Sequence, residues 1–330
     1  MLRDAFDRLR PGRTVHGISA TLLPFTAGGR IDWAAFEQHV ERTRAAGLDV
    51  AVNMDTGFGD LLTSGEREEV LDATRRVLGA GVLFYAGAFA GDATDVVAGY
   101  HAATAAIEAR GGIPVIVQHR CMHGLVASEK VALYARIAAG ASRALAFELG
   151  PVFAPHGEIW DDETFARLLG LPNLLGAKHS SLDRGIELRR LAARDRLRPD
   201  FRVYTGNDLA IDMVAYGSDY LLGLSTFAPA AFAARDQSLA AGDLAFLTRN
   251  DALQHLGNVG FRAPVPAYKH SAAIFLQLTG RLAFDGIHPR APRRPPSDRG
   301  LLFDCALRIW AIEDVERTFA ELVRPYVERG

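Results

Sequence analysis

Eight short apolar runs alternate with amphipathic stretches along most of this chain, and that rhythm constrains the fold more than any other feature. The strand-like runs are Val15–Leu22, Val50–Met54, Val82–Ala88, Ile113–Gln118, Ala144–Leu149, Leu174–Lys178, Arg202–Thr205 and Tyr220–Leu224. Between them lie helical patterns at Trp33–Ala46, Gly65–Leu78, Asp95–Ala109, Ser128–Ala139, Asp162–Leu169, Arg184–Ala193, Leu209–Tyr216 and Ala230–Ala240. Runs that stay apolar without alternating suit strands buried on both faces of a parallel sheet. Eight such units can close into a (β/α)8 TIM barrel, with a doubly wound open sheet as the competing arrangement. After about Ala240 the alternation stops. Helical patterns follow at Asp251–Leu256, His270–Leu278, Leu301–Trp310 and Val315–Val327. The expected organisation is therefore a barrel carrying the active site over residues 1–240 and a C-terminal helical appendage over 241–330. A length of 330 residues suits it, since one barrel takes roughly 250.

Local signals support the same reading. Thr63 and Ser64 can cap the second helix, Glu66, Glu68 and Glu69 favour its positive end, and Arg75 and Arg76 its negative end. Gly47, Gly81 and Gly112 fall just past helices, where a left-handed residue is wanted. The stretch from Pro289 to Pro296 holds too many prolines for helix or sheet interior and reads as a solvated loop.

Composition narrows the function classes. A formal net charge of −2 offers no basic excess for a phosphate backbone, so nucleic acid is not the expected partner. The longest apolar candidate, Leu221 to Ala234, is broken by Pro229 and falls short of a bilayer span. Two cysteines, Cys121 and Cys305, are too few for a disulfide scaffold. The N-terminus is charged from the start and lacks a signal-peptide core, so a cytoplasmic location is expected.

In a barrel, chemistry sits at the C-terminal ends of strands. That rule selects Asn53 to Asp60, Gln118 to Gly124, Phe147-Glu148, Lys178 to Ser181 and Thr205 to Asp208. Lys178 stands out, because its stem leaves the apolar run Leu174-Leu175-Gly176-Ala177. Desolvation there lowers a lysine pKa and supplies the neutral amine that attacks a carbonyl. The bland alternative is a lysine paired at the mouth with Glu148 or Asp208. Gly57-x-Gly59 lacks the remaining glycines of a dinucleotide fingerprint; exposed amides and the Thr56 hydroxyl there could instead bind a carboxylate. His119, Cys121 and His123 would share one face if the fourth strand ran that far, and imidazole with thiolate can bind zinc.

Several of these segments together are similar to the dihydrodipicolinate synthase / N-acetylneuraminate lyase family of class I aldolases. Gly17-Ile18-Ser19-Ala20-Thr21-Leu22-Leu23-Pro24-Phe25 resembles the family's opening strand, and Asp55-Thr56-Gly57 followed by Leu62 to Arg67 its carboxylate-binding loop. Leu171 to Asp183 is the most specific match and places Lys178 on the Schiff-base lysine; Tyr204 to Asp208 and Gly217 to Gly223 resemble the last two strand segments. The resemblance covers roughly residues 14–280. It implies an imine between Lys178 and pyruvate or another 2-oxo acid, no cofactor, and a homodimer or homotetramer. Thr56 and the Gly57 amide would hold the substrate carboxylate, with Phe147 and Leu222 beside it. Two departures matter. Asp55 stands where the family has a threonine, and must turn away, pair with Arg120 or meet a substrate hydroxyl. Phe147 stands where the family has its proton-shuttling tyrosine, which leaves acid–base work to His119, His123, His179 or Glu148. The expected function is a Schiff-base lyase, aldolase or dehydratase other than dihydrodipicolinate synthesis itself. The alternatives are an altered barrel that only binds a metabolite, and a metal-dependent enzyme using His119, Cys121 and His123.

Overall fold

The computed structural model describes residues 2–91 and 93–313. Eight strands, β1 (Gly17–Ala20), β2 (Asp49–Val52), β3 (Phe84–Ala88), β4 (Gly112–Ile116), β5 (Ala144–Leu149), β6 (Leu174–Ser180), β7 (Arg202–Thr205) and β8 (Asp219–Leu222), close in sequence order into a barrel. Every neighbouring pair is parallel, including β1 with β8. The open-sheet alternative is excluded. A short α1 (Leu2–Phe6) precedes the barrel; α2 (Trp33–Ala45), α3 (Ser64–Leu78), α4 (Val96–Ala109), α5 (Ala127–Ala138), α6 (Asp162–Leu168), α7 (Arg184–Leu197) and α8 (Pro229–Ala241) surround it. The segment expected as a helix at Leu209–Tyr216 is a 3-10 turn, Ile211–Tyr216, ended by Gly217 in the left-handed region. Then come α9 (Ala245–Gly260), α10 (Tyr268–Leu278) and α11 (Asp298–Glu313). The expected helix at Val315–Val327 lies outside the described residues. Among the described residues no helix is long and apolar enough to cross a membrane.

The local signals act largely as anticipated. Thr63 caps α3 in a full capping box with Glu66. Gly47 and Gly81 take positive φ, but after α4 it is Gly111 that does so, and Gly112 already belongs to β4. The proline-rich loop is not wholly solvated. Arg294 within it is buried and donates to the carbonyls of Gly260, Arg262 and Ala263, which stitches the loop to the end of α9.

Strand alternation sorts side chains into two cores. Ile18, Ala20, Ala51, Tyr85, Ile113, Val115, Leu145, Phe147, Tyr204 and Leu221 fill the barrel interior. The intervening strand residues, with the helices, form the larger layer outside. An interior packed with side chains leaves room for chemistry only at the mouth.

Candidate active site

Lys178 is the natural starting point. The register of β6 sets it level with Phe147 on β5 and Tyr204 on β7, both interior residues, so its stem also turns inward. It is 5% exposed, and its Nζ stands 4.4 Å from the centroid of the Phe147 ring. Gly206 makes room for it, because a Cβ there would lie 2.7 Å from the Lys178 Cε. Burial lowers the ammonium pKa below the usual lysine range, against the opposing pull of Asp208 and Asp55.

Those carboxylates are in different states. Asp208 accepts from the Leu224 amide at 2.7 Å, yet burial pushes its pKa up to about 7 despite Lys178 nearby. Burial also acts to raise Asp55, but Lys269, Tyr268 and Lys178 outweigh it and hold the carboxyl below its usual range. Lys269 Nζ is 2.7 Å from Asp55 Oδ1, and the Tyr268 hydroxyl donates to Asp55 Oδ2 at 2.7 Å. That phenol oxygen also lies 2.9 Å from Thr56 Oγ1. With its one hydrogen given to Asp55, the phenol accepts from Thr56. A helix of the C-terminal region thus completes the mouth. Within the protein, Asp55 pairs with Lys269 rather than with Arg120.

Other expected residues fall elsewhere. Glu148 and His179 follow Phe147 and Lys178 by one position and therefore face outward. They meet behind the barrel wall at 2.5 Å, both about fully buried, and Arg190 closes the cluster onto Glu148 at 3.1 Å. Burial acts to raise Glu148, but His179 and Arg190 prevail and its pKa is lowered. Neither Glu148 nor His179 is brought to the mouth, and the carboxylates that act on Lys178 are Asp208 and Asp55. Leu222 belongs to the outer layer as well, because Leu221 takes the inward position on β8. The Gly57 amide is already committed to the Met54 carbonyl at 3.0 Å within the turn Asp55–Gly57. Lysine, Asp55, Thr56 and Phe147 do gather at the mouth.

The histidine–cysteine face does not form. β4 ends at Ile116, and His119 caps a 3-10 turn, Arg120–Met122, so strand alternation no longer applies. Met122 is buried while Cys121 and His123 are exposed, and no group of three metal-ligating side chains exists among the described residues. His119 lines a cavity of about 970 Å³, together with Asn53, Asp55, Val117 and Phe147, and that cavity also takes in Leu71 of α3 and Ala103 and Ile107 of α4.

Sequence reasoning did not find Tyr268 and Lys269. α10 is buried along most of its length, and a lysine in such a helix requires a partner, but that burial comes from packing that the sequence alone does not spell out.

A family model described as "Protein of unknown function (DUF993)" matches residues 14–320. No curated protein sequence matches. Solved structures with the same barrel include dihydrodipicolinate synthase from Acinetobacter baumannii complexed with pyruvate (TM-score 0.75, 20% identity, covering 90% of this chain and 99% of that one). They also include the synthase from Thermotoga maritima (0.77, 18%, 90% and 99%). YagE, a prophage protein of the dihydrodipicolinic acid synthase family from E. coli K12 in complex with pyruvate, aligns at 0.79 with 15% identity over 89% and 98%. At these identities the likeness is one of fold.

Proposed function

This chain belongs to the family described as "Protein of unknown function (DUF993)", and we propose that its members with this mouth are Schiff-base-forming lyases acting on a 2-oxo acid. The observation that carries the reading is Lys178: an amine buried at the catalytic end of a barrel strand, its pKa depressed by burial, with Asp208 and Asp55 close enough to act on it. A neutral Nζ adds to the C2 carbonyl of the acid, and the resulting carbinolamine loses its oxygen as water to leave the protonated imine. Asp208, poised near pKa 7 beside the lysine, supplies the proton that lets the water go. The imine then draws electrons from the adjacent carbon, which permits cleavage of a neighbouring C–C or C–O bond.

The substrate carboxylate needs donors other than the Gly57 amide. Lys269 retains N–H groups beyond the one given to Asp55, and Thr56 belongs to the same hydrogen-bonded group. Lys269 holds the carboxylate, and the Asp55–Lys269 pair removes the repulsion that a bare Asp55 would exert. Pyruvate in two of the related barrels supports a small 2-oxo acid head as the recognised unit.

Borohydride reduction in the presence of a panel of 2-oxo acids, read by intact and peptide mass spectrometry, tests the proposal. A reduced adduct on the peptide carrying Lys178, absent from Lys178→Ala, is expected. Absence of an adduct from every acid, at pH values where the lysine is neutral, overturns it in favour of a barrel that only binds a metabolite.

A further inference from the structure

We infer that Asp55 is a further catalytic residue of this site: its carboxylate takes a proton from the carbon next to the imine and returns one to it. The inference rests on the imine reading of Lys178 and adds the group that moves that proton. When C3 of the imine loses a proton, the C–H pair forms the C2–C3 double bond of an enamine, and the C=N pair moves onto nitrogen. The return of the proton reverses both. A group at the mouth must accept the proton and give it back. Phe147, under the Lys178 Nζ, has none to offer, and Glu148 and His179 lie behind the wall. The hydroxyls of Thr56 and Tyr268 are buried and committed, Thr56 to Tyr268 and Tyr268 to Asp55. Asp55 itself keeps 18% of its side chain exposed and lines the cavity.

The carboxylate is fixed from two sides. Asp55 opens the turn that follows β2, and each of its oxygens takes one donor at 2.7 Å, Oδ1 from Lys269 and Oδ2 from Tyr268. An ionised carboxylate has about four acceptor sites, so both oxygens retain capacity. The residues after β8 tie this group to the lysine. A Cβ on Gly223 would stand 3.0 Å from Thr56 Oγ1 and 3.0 Å from Tyr268 Cε2, and the next residue, Leu224, donates its amide to Asp208. Asp208 in turn closely follows Gly206, whose missing Cβ leaves room for the Lys178 stem. Asp55, Asp208 and Lys178 accordingly act on one another's charge. Lys269 and Tyr268 on α10, Lys178 on β6 and the carboxyls of Asp60 and Asp208 are the titratable groups that bear on Asp55. Burial opposes its charge, but the lysines and the phenol prevail, so Asp55 is ionised and able to accept. A carboxyl held below its usual range also gives a proton up readily.

The test uses the full chain in D2O with pyruvate, and with 2-oxobutanoate, trapped at timed intervals by cyanoborohydride. The hydride fixes the imine as a secondary amine, and the mass of the Lys178 peptide reports both the amount of adduct and the deuterium at its C3. Wild type is expected to gain deuterium at a rate per imine that does not fall between about pH 8 and about pH 5, because Asp55 stays ionised throughout. A rate that falls through about pH 7 belongs to Asp208, raised to about 7, or to a histidine such as His119, and overturns the assignment. Asp55→Asn is expected to form the adduct and to exchange at least about a hundredfold more slowly per imine. Exchange at the wild-type rate in that variant overturns the assignment too. Should the variant not fold, the wild-type profile decides alone. An adduct that gains no deuterium in wild type overturns the proton carrier and leaves the imine standing. No adduct with any 2-oxo acid overturns the imine, and this inference falls with it.

Discussion

Asp55 and Glu148 are both carboxylates taken out of bulk water, and both are held below the usual carboxylate range by cationic partners. Their surroundings differ in one respect. Asp55, tied to Lys269 and Tyr268, borders the cavity and acts on Lys178. Glu148, tied to His179 and Arg190 and receiving the Trp160 amide at 2.9 Å, is sealed between the barrel wall and α7. A pairing that satisfies charge in a closed layer is architecture; the same pairing beside an open cavity and a desolvated amine can do chemistry. Glu148 is turned away by the parity of its strand position, whereas Asp55 sits in the turn that follows β2. Phe147 and Lys178 are paired in register and point in, and the next pair, Glu148 and His179, points out.

Substitutions on the two sides should therefore separate chemistry from stability. Lys178→Met has the largest expected effect: no reducible adduct with any 2-oxo acid, in a protein whose circular dichroism spectrum and cooperative melting are retained. Removing a buried ammonium and keeping an apolar stem of similar length spares the packing. A residual adduct in this variant would mean that another amine does the work, and Lys269 would be the one to examine.

Glu148→Ala is expected to do the reverse. Truncating one member of a buried ion pair costs about 3–5 kcal/mol, because the buried His179 and Arg190 lose Glu148 and Arg190 keeps only the exposed Asp162 and the Trp160 carbonyl. Denaturant unfolding would register that loss, while trapping per folded molecule at low temperature should match wild type. A loss of trapping beyond the folded fraction would move Glu148 back into the chemistry. Tyr268→Phe lies between the two. It deletes a hydrogen bond to a charged group, about 1.5–3 kcal/mol, and also frees Thr56 and one oxygen of Asp55. Slower trapping with a modest fall in unfolding midpoint is expected. A purely structural tyrosine would change the midpoint alone.

The parity that turns Glu148 away from the mouth was available in the sequence, and the barrel was too. The β/α alternation identifies every strand, because continuous apolar runs between amphipathic helices have no other economical arrangement. Period-two alternation also says that if Lys178 faces in, His179 faces out, but along the apolar run Tyr220-Leu221-Leu222 it does not choose which leucine lines the interior. Asp55's partners were not legible. Tyr268 and Lys269 lie more than two hundred positions further along, and only closure of the barrel with its C-terminal helices brings them together. The histidine–cysteine face failed for the opposite reason: a spacing rule valid for strands was extended past the residue where β4 stops.

The smallest expected effect is also the most direct check on the pairing of Lys178 with Asp208. The folded protein depresses the lysine pKa, so ammonium at that position destabilises the fold, and stability from this group rises as pH climbs through its folded value toward the ordinary one. Asp208 is raised to about 7. The folded state therefore keeps a proton that the unfolded chain would release near pH 4, and stability falls between about pH 4 and about 7. Asp208→Asn retains an acceptor for the Leu224 amide and removes the charge. The stability difference in its favour should grow across that window. The carboxylate also raises the lysine pKa, so its removal should move the midpoint of the trapping rate against pH to lower pH, even as the maximal rate drops for want of the proton donor. A midpoint that stays in place would show that the two groups do not sense each other, and the proton transfer assigned to Asp208 would have to come from another group at the mouth.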